Sequence, residues 1–214
     1  NLTSGRVYWK VITDERKGVY GGQTIQIIPH VTNEIKKSIH KNADTGADVC
    51  LVEIGGTVGD IESQPFLEAI RQFAVEVGRE NCLFIHVTLV PYLAASDELK
   101  SKPTQHSVKE MLSLGISPDI IVCRTEHPLT DDIRRKIALF CNVNEECVIE
   151  NNNCDILYAV PMMLKEQKMD EVVLRRLGID APNQDLSDWE HMLDALRTVS
   201  YTHLRAHETT LHLV

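Results

Sequence analysis

The stretch that most constrains this chain is VEIGGTVGDIES at residues 52–63, where an acid follows an apolar run and a glycine-rich turn carries two further carboxylates. Residues 47–52 form a short apolar run with Val49 and Val52, the pattern of a strand buried in a parallel sheet. After the turn, Phe66, Ala69, Ile70, Phe73 and Val77 recur at helical spacing, with Ser63 placed as N-cap and Pro65 tolerated in the first turn. The order is strand, turn, helix. In open α/β sheets, ligands bind where the carboxyl ends of strands meet such turns, and Gly55, Gly56 and Gly59 let the backbone approach a ligand closely.

Glu53 ends the apolar run. A carboxylate in this position is where nucleotide-binding proteins often hold Mg²⁺, a hard cation that takes oxygen ligands and substrate phosphates. Asp60 and Glu62 stand at the helix start, suited to ribose hydroxyls or a base, but two acids there also complement the helix dipole over a tight glycine connection. Spacing alone does not separate these readings. Glu53 favours the first, because an acid after four apolar residues is costly to bury unpaired.

At 214 residues the chain can bury a full core, as one domain or one domain plus an appendage. Its formal net charge of −9 argues against a general nucleic-acid binder, so any cationic site is local. The six cysteines include no Cys-x-x-Cys pair and several lie in apolar runs, which reads as buried thiols in a reducing compartment. No apolar run approaches the roughly 18 residues of a membrane span and no signal peptide is visible, so a cytoplasmic protein with no membrane partner is expected.

Along the chain, residues 1–22 mix charges and glycines with Tyr8 and Tyr20, and read as a surface hairpin or arm. Residues 24–28 read as a short β run, and Thr32 as the N-cap of a helix carrying Ile35 and Ile39; His30 is left without a role. An apolar strand at 82–90 ends at Pro91. Lys100 and Lys102 flank the start of a helix with Val108, Met111 and Leu112 inward and Gly115 as its stop. Free N–H groups at that start, with Thr104 and Gln105 as neutral donors, make a natural anion site, although paired lysines are more often simply solvated. A third core strand at 120–123 leads to a helix capped by Thr130, with Ile133, Ile137 and Phe140 on one face and Lys136 on another. A fourth strand at 147–149, two short helices within 159–177 and an amphipathic helix at 187–196 complete the reading.

From residue 1 to about residue 180 the chain closely resembles the synthetase (amidoligase) domain of the CTP synthase family. The resemblance rests on EIGGTVGDIES with the following PFLEA and RQF, on NLTSG at 1–5, QIIPHVT at 26–32, KSKPTQHS at 100–107 and KIALFC at 136–141. It implies an α/β fold with a Rossmann-like, three-layer, mainly parallel sheet of the P-loop-NTPase type. It further implies a cytoplasmic homotetrameric ligase that aminates UTP to CTP, with ATP as co-substrate, Mg²⁺, and ammonia from a glutaminase domain. By the same resemblance Glu53 is a metal ligand and, with Lys102, catalytic. Asp60, Ile61, Glu62, Lys100, Ser101, Lys102, Pro103, Thr104, Gln105 and Lys136 would hold UTP, or CTP as inhibitor. Asn152, Asn153 and Cys154 fall where the family contacts adenine, and depart from its usual charged or valine-containing version.

Residues 1–183 are thus expected to be a partial synthetase domain and 184–199 the start of an interdomain linker helix. The segment at 200–214 departs from the family and looks like translated sequencing-adapter read-through, which makes His203, His207, Glu208 and His212 a false lead toward a metal site. The phosphate loop, a second Mg²⁺ aspartate and the glutaminase residues are expected outside the chain, and the chain alone is expected to make no CTP. A nucleotide-binding or assembly module without catalysis is the first alternative, and an amidoligase with a different acceptor the second.

Overall fold

The computed structural model describes the backbone of residues 1–43 and 46–210, and the side chains of residues 1–41 and 46–198. The fold is α/β, divided into one unit of Asn1–His86 with Thr104–Asp119 and a second of Val87–Pro103 with Ile120–Val214.

The first unit is built on α1 (Ser4–Arg16), α2 (Thr32–Ala43), α3 (Gln64–Val77) and most of α4 (Lys102–Ser113). The hairpin expected at residues 1–22 is instead largely helix. Thr3 caps α1 by accepting from the Arg6 N–H at 3.3 Å, and Val7 and Val11, four apart, are buried on its inner face. Tyr20 lies beyond α1, its ring edge-on to His30 with centroids 5.0 Å apart, so the spaced tyrosines report no strand. Val7, Val11, Val31, Ile35, Ile39 and Ala69 share one core, while Leu67, Met111 and Ile116 form another, on which Ile54 and Val58 pack.

Two expected β segments of this unit do not form. Residues 24–28 make no strand, and a helical turn at Ile27–Val31 runs directly into α2; the Thr32 hydroxyl donates back to the Pro29 carbonyl (3.1 Å) rather than capping. Residues 47–54 make no strand either: Leu51 is 90% exposed and Val49 and Val52 are each 46% exposed. A parallel strand exists only with ladder neighbours, and an apolar run states what favours burial without supplying what covers it.

In the second unit the sheet order is β1-β4-β5, where β1 is Ile85–Leu89, of which Val87 onward belongs to this unit, β4 is Ile120–Arg124 and β5 is Val148–Asn151. β4 is central. Ile120, Ile121, Val122 and Cys123 are all buried, as a strand covered on both faces requires, and β4 pairs in parallel with β5 so that Cys123 faces Glu150 and Arg124 faces Asn151. A hairpin of β2 (Tyr92–Leu93) and β3 (Glu98–Leu99) follows β1.

Helix α5 (Asp131–Cys141) starts at Thr130, whose hydroxyl accepts from the Ile133 N–H at 3.4 Å. Its buried face is Ile137, Ala138 and Cys141, and Phe140, expected inward, is 54% exposed because it lies one step round the helix from that stripe. Helices α6 (Val160–Glu166), α7 (Met169–Leu177) and α8 (Ser187–Thr210) complete the unit. Helix α8 runs through the boundary expected near residue 200; residues 211–214, and the side chains of His203, His207, Glu208 and His212, lie outside the described residues. Among the described residues no helix is long and apolar enough to cross a membrane.

The cysteines are all free thiols, with Cys123, Cys141 and Cys147 buried, Cys82 and Cys154 intermediate and Cys50 exposed. Burial pushes Cys123 up to about 12 and Cys141 up to about 11 from the ordinary 9.0. The folded chain therefore holds these protons longer than the unfolded chain. Their contribution to stability is intact below about pH 9 and is lost as pH rises toward those values. Denaturant titrations should show stability falling between about pH 9 and 11, with a shallower fall in Cys123→Ala, and a thiol reagent at about pH 8 should label Cys50 well before Cys123. Equal slopes in both proteins would contradict this.

Candidate functional site

The first unit presents the glycine-rich turn. Gly56 and Gly59 adopt φ of +94° and +104°, conformations that a side chain would strain. Asp60 closes the turn: its Oδ2 accepts from the Thr57 N–H at 3.2 Å while its own N–H donates to the Thr57 carbonyl at 3.1 Å. Ser63 begins α3, but its hydroxyl does not cap the helix; it donates to the Thr57 and Asp60 carbonyls at 3.2 and 2.9 Å. That leaves Glu53, Ile61 and Glu62 exposed on the rim, Ile61 by 80%. Among the described residues no group of three or more His, Cys, Asp or Glu is arranged to hold a metal. Glu53, accessible and outside every hydrogen bond and ion pair among the described residues, fits as one oxygen ligand of Mg²⁺, an ion that takes further ligands from phosphates and water.

The second unit gathers the cations. The β2–β3 hairpin is held by the Tyr92 hydroxyl donating to Asp97 Oδ1 at 2.6 Å, and the Tyr92 ring lies 4.0 Å from that of His127. The Lys100 N–H donates to the Pro91 carbonyl at 2.9 Å, which sets Lys100 beside Glu98, and the two side chains form an ion pair. The Glu98 carboxyl lies below its usual range, first because Lys100 and then Ser96 donate to it, with the charge of Lys136 adding a smaller pull. Lys100 and Lys136, far apart in sequence, thus act on one carboxylate. Lys102 and Pro103 are exposed where α4 begins, whereas Ser101 is buried. Thr104, which is buried, and Gln105, partly buried, follow on α4 within the first unit. Glu98 was not singled out in the sequence, although its placement two residues before Lys100 in an extended segment puts both side chains on one face.

The third group is the loop after β5. Asn153 Oδ1 accepts from Arg124, whose other guanidinium nitrogen donates to the Thr125 and Asn151 carbonyls, each at 3.0 Å. Glu150 accepts from the Leu129 N–H at 2.7 Å and from the Asn152 amide nitrogen. Cys154 is partly buried. Arg124 and Glu150 carry no role in the sequence reading, because the donors and acceptors they serve lie on other segments of the chain.

Residues 1–179 match the family described as CTP synthase N-terminus. Curated relatives named CTP synthase include that of Caldanaerobacter subterraneus, 58% identical over 195 residues, that of Ruminiclostridium cellulolyticum, 56% identical over 194, and that of Methanocaldococcus jannaschii, 55% identical over 194. These alignments cover 90–91% of this chain and 36% of each relative, so the chain spans little more than a third of the length of the proteins it matches.

The Glu98 carboxylate competes with any anion for Lys100. Glu98→Gln should therefore tighten binding of a nucleoside triphosphate by about two- to fivefold, the size of an exposed ion pair, and more at low salt than at high salt. Titration calorimetry checks this, and weaker binding in the variant would show that Glu98 serves to position Lys100 instead.

Proposed function

Because the chain belongs to the CTP synthase family, we propose that it provides the pyrimidine-nucleotide part of an enzyme that aminates UTP to CTP at the expense of ATP. The observation that carries this is the ion pair of Lys100 with Glu98, a carboxylate that also feels the charge of Lys136, beside a helix that opens with Lys102. In the proposed reaction the uracil O4 attacks the γ-phosphorus of ATP and ADP leaves. Ammonia, delivered from a glutaminase domain, then adds at C4; phosphate departs, a proton is lost and CTP remains. Phosphorylation turns a poor leaving group into a good one.

Most of the work assigned to this chain is positioning and charge neutralisation. Lys100, Lys102 and Lys136 are proposed to bind the triphosphate, Lys102 acting with the N–H groups at the start of α4. Asp60, Ile61 and Glu62 are proposed to contact the pyrimidine nucleotide from the glycine-rich turn, with Ser101, Pro103, Thr104 and Gln105 shaping the lysine segment. Asn152, Asn153 and Cys154 are assigned to the adenine of ATP. Mg²⁺, when bound to Glu53, neutralises charge on the phosphates. The 214-residue sequence holds no Gly-x-x-x-x-Gly-Lys-Ser/Thr phosphate loop, so alone it is proposed to bind nucleotide without turning it over. Residues 1–183 would then be the synthetase part, 184–199 the start of a linker, and 200–214 extraneous, within a cytoplasmic homotetramer.

The test uses an enzyme completed with the remaining segments of a relative such as that of Caldanaerobacter. Lys102→Ala should weaken UTP use and CTP inhibition in parallel, by about tenfold to a hundredfold, the value of one charge-assisted contact. Unchanged constants for both nucleotides would return Lys102 to the solvent.

A further inference from the structure

The hairpin that carries Lys100 is too small to hold itself in place. Its strands β2 and β3 have two residues each, paired Tyr92 to Leu99 and Leu93 to Glu98, and even a longer isolated hairpin is marginal in water. Three bonds close it: the Tyr92 hydroxyl donates to Asp97 Oδ1 at 2.6 Å, the Ser96 N–H to the Leu93 carbonyl at 3.1 Å and the Lys100 N–H to the Pro91 carbonyl at 2.9 Å. All three stay within the hairpin. The Tyr92 ring reaches out of it, to lie 4.0 Å from the ring of His127 between centroids, with the planes tilted by 42°. His127 is exposed but firmly mounted. The hydroxyl of Thr125, a residue only 1% exposed, donates to the His127 carbonyl at 2.9 Å and accepts from the His127 N–H at 3.4 Å, and two residues on Glu150 Oε2 holds the Leu129 N–H at 2.7 Å. The turn fixed in this way on both sides of His127 runs into Thr130, the cap of α5, and α5 carries Lys136. The ring contact therefore joins the hairpin of Glu98 and Lys100 to the turn from which α5 departs. Glu98, held low first by the donation from Lys100 and then from Ser96, also feels the charge of Lys136, as that junction requires.

We infer that Tyr92 and His127 are positioning residues, whose ring contact fixes the β2–β3 hairpin against the turn between β4 and α5 so that Lys100 and Lys136 are placed for one triphosphate before it arrives. The inference rests on the assignment of the triphosphate to these lysines. A cation set in place beforehand loses little freedom when the anion binds, whereas a lysine on a loose hairpin must be ordered at that moment. Neither ring needs to touch the nucleotide.

A double-mutant cycle in the completed enzyme tests this. His127→Ala removes an exposed ring from a turn whose backbone Thr125 and Glu150 still hold. It should raise the UTP constant and the CTP inhibition constant in parallel, by about threefold to tenfold, with kcat and the KM for ATP changed far less. Lys100→Ala should weaken UTP binding by about tenfold in the unmutated enzyme, but by less than about threefold once His127→Ala is present, because a lysine already released has little left to lose. His127→Phe keeps a ring for Tyr92 to pack on, and should restore both the UTP constant and the full effect of Lys100→Ala. Additive losses for His127→Ala and Lys100→Ala, unmoved constants in His127→Ala, or no rescue by His127→Phe would each overturn the inference. An equal rise in the KM for ATP, the mark of a residue that merely supports the fold, would overturn it too. If Lys100→Ala alone leaves the UTP and CTP constants unmoved, the triphosphate assignment fails and the inference falls with it, an outcome distinct from additive losses at a site that binds.

Discussion

The parallel pairing of β4 with β5 is the constraint on which the second unit depends. Ile120, Ile121, Val122 and Cys123 are buried together with Cys147, Val148 and Ile149, and each large aliphatic side chain removed from water contributes about 1.5–3 kcal/mol before entropy is charged against it. A ladder that is apolar on both faces has no room for polar groups until the strands end. Hence Arg124 and Glu150 stand at the first positions where the core releases the chain, and they organise everything that follows. Arg124 gathers the carbonyls of Thr125 and Asn151 with the Asn153 side chain, while Glu150 gathers the Leu129 N–H and the Asn152 amide. The turn leading to α5, and so to Lys136, is tied to the loop after β5 through one carboxylate.

Charge in this chain is distributed by the same logic. With an excess of acids overall, a polyanion is accepted only where cations are concentrated and their local counter-charge is weak. Lys100 is paired with Glu98, an exposed carboxylate that also feels the charge of Lys136. Because that ion pair is exposed, its competition with the proposed triphosphate should be small and sensitive to salt. The glycine-rich turn of the first unit makes the complementary choice: Asp60 is spent on closing the turn, and Glu53 and Glu62 are left outward.

Legibility in the sequence followed how local each feature is. β4 was readable because an uninterrupted apolar run bounded by polar residues has few other uses, and α5 because Thr130 and its acidic first turn mark a helix start before any packing is known. The run at 47–52 had the same apolar signature and formed no strand, since pairing depends on neighbours that the run does not specify. Residues 1–22 misled in the other direction: Val7 and Val11, one turn apart, outweighed the spaced tyrosines. Lys100, Lys102 and Lys136 were marked by the family resemblance, but Glu98, Arg124 and Glu150 gained meaning only once the backbone brought distant donors to them.

The central claim is that the lysine segment binds the triphosphate of a pyrimidine nucleotide. Titration of the 214-residue chain with UTP and with uridine, at about 50 and about 300 mM salt, tests it most directly, because only the triphosphate should feel a screened electrostatic contact. UTP should bind far more tightly than uridine and lose affinity as salt rises. Equal affinity for the two, or a UTP affinity indifferent to salt, would contradict the account.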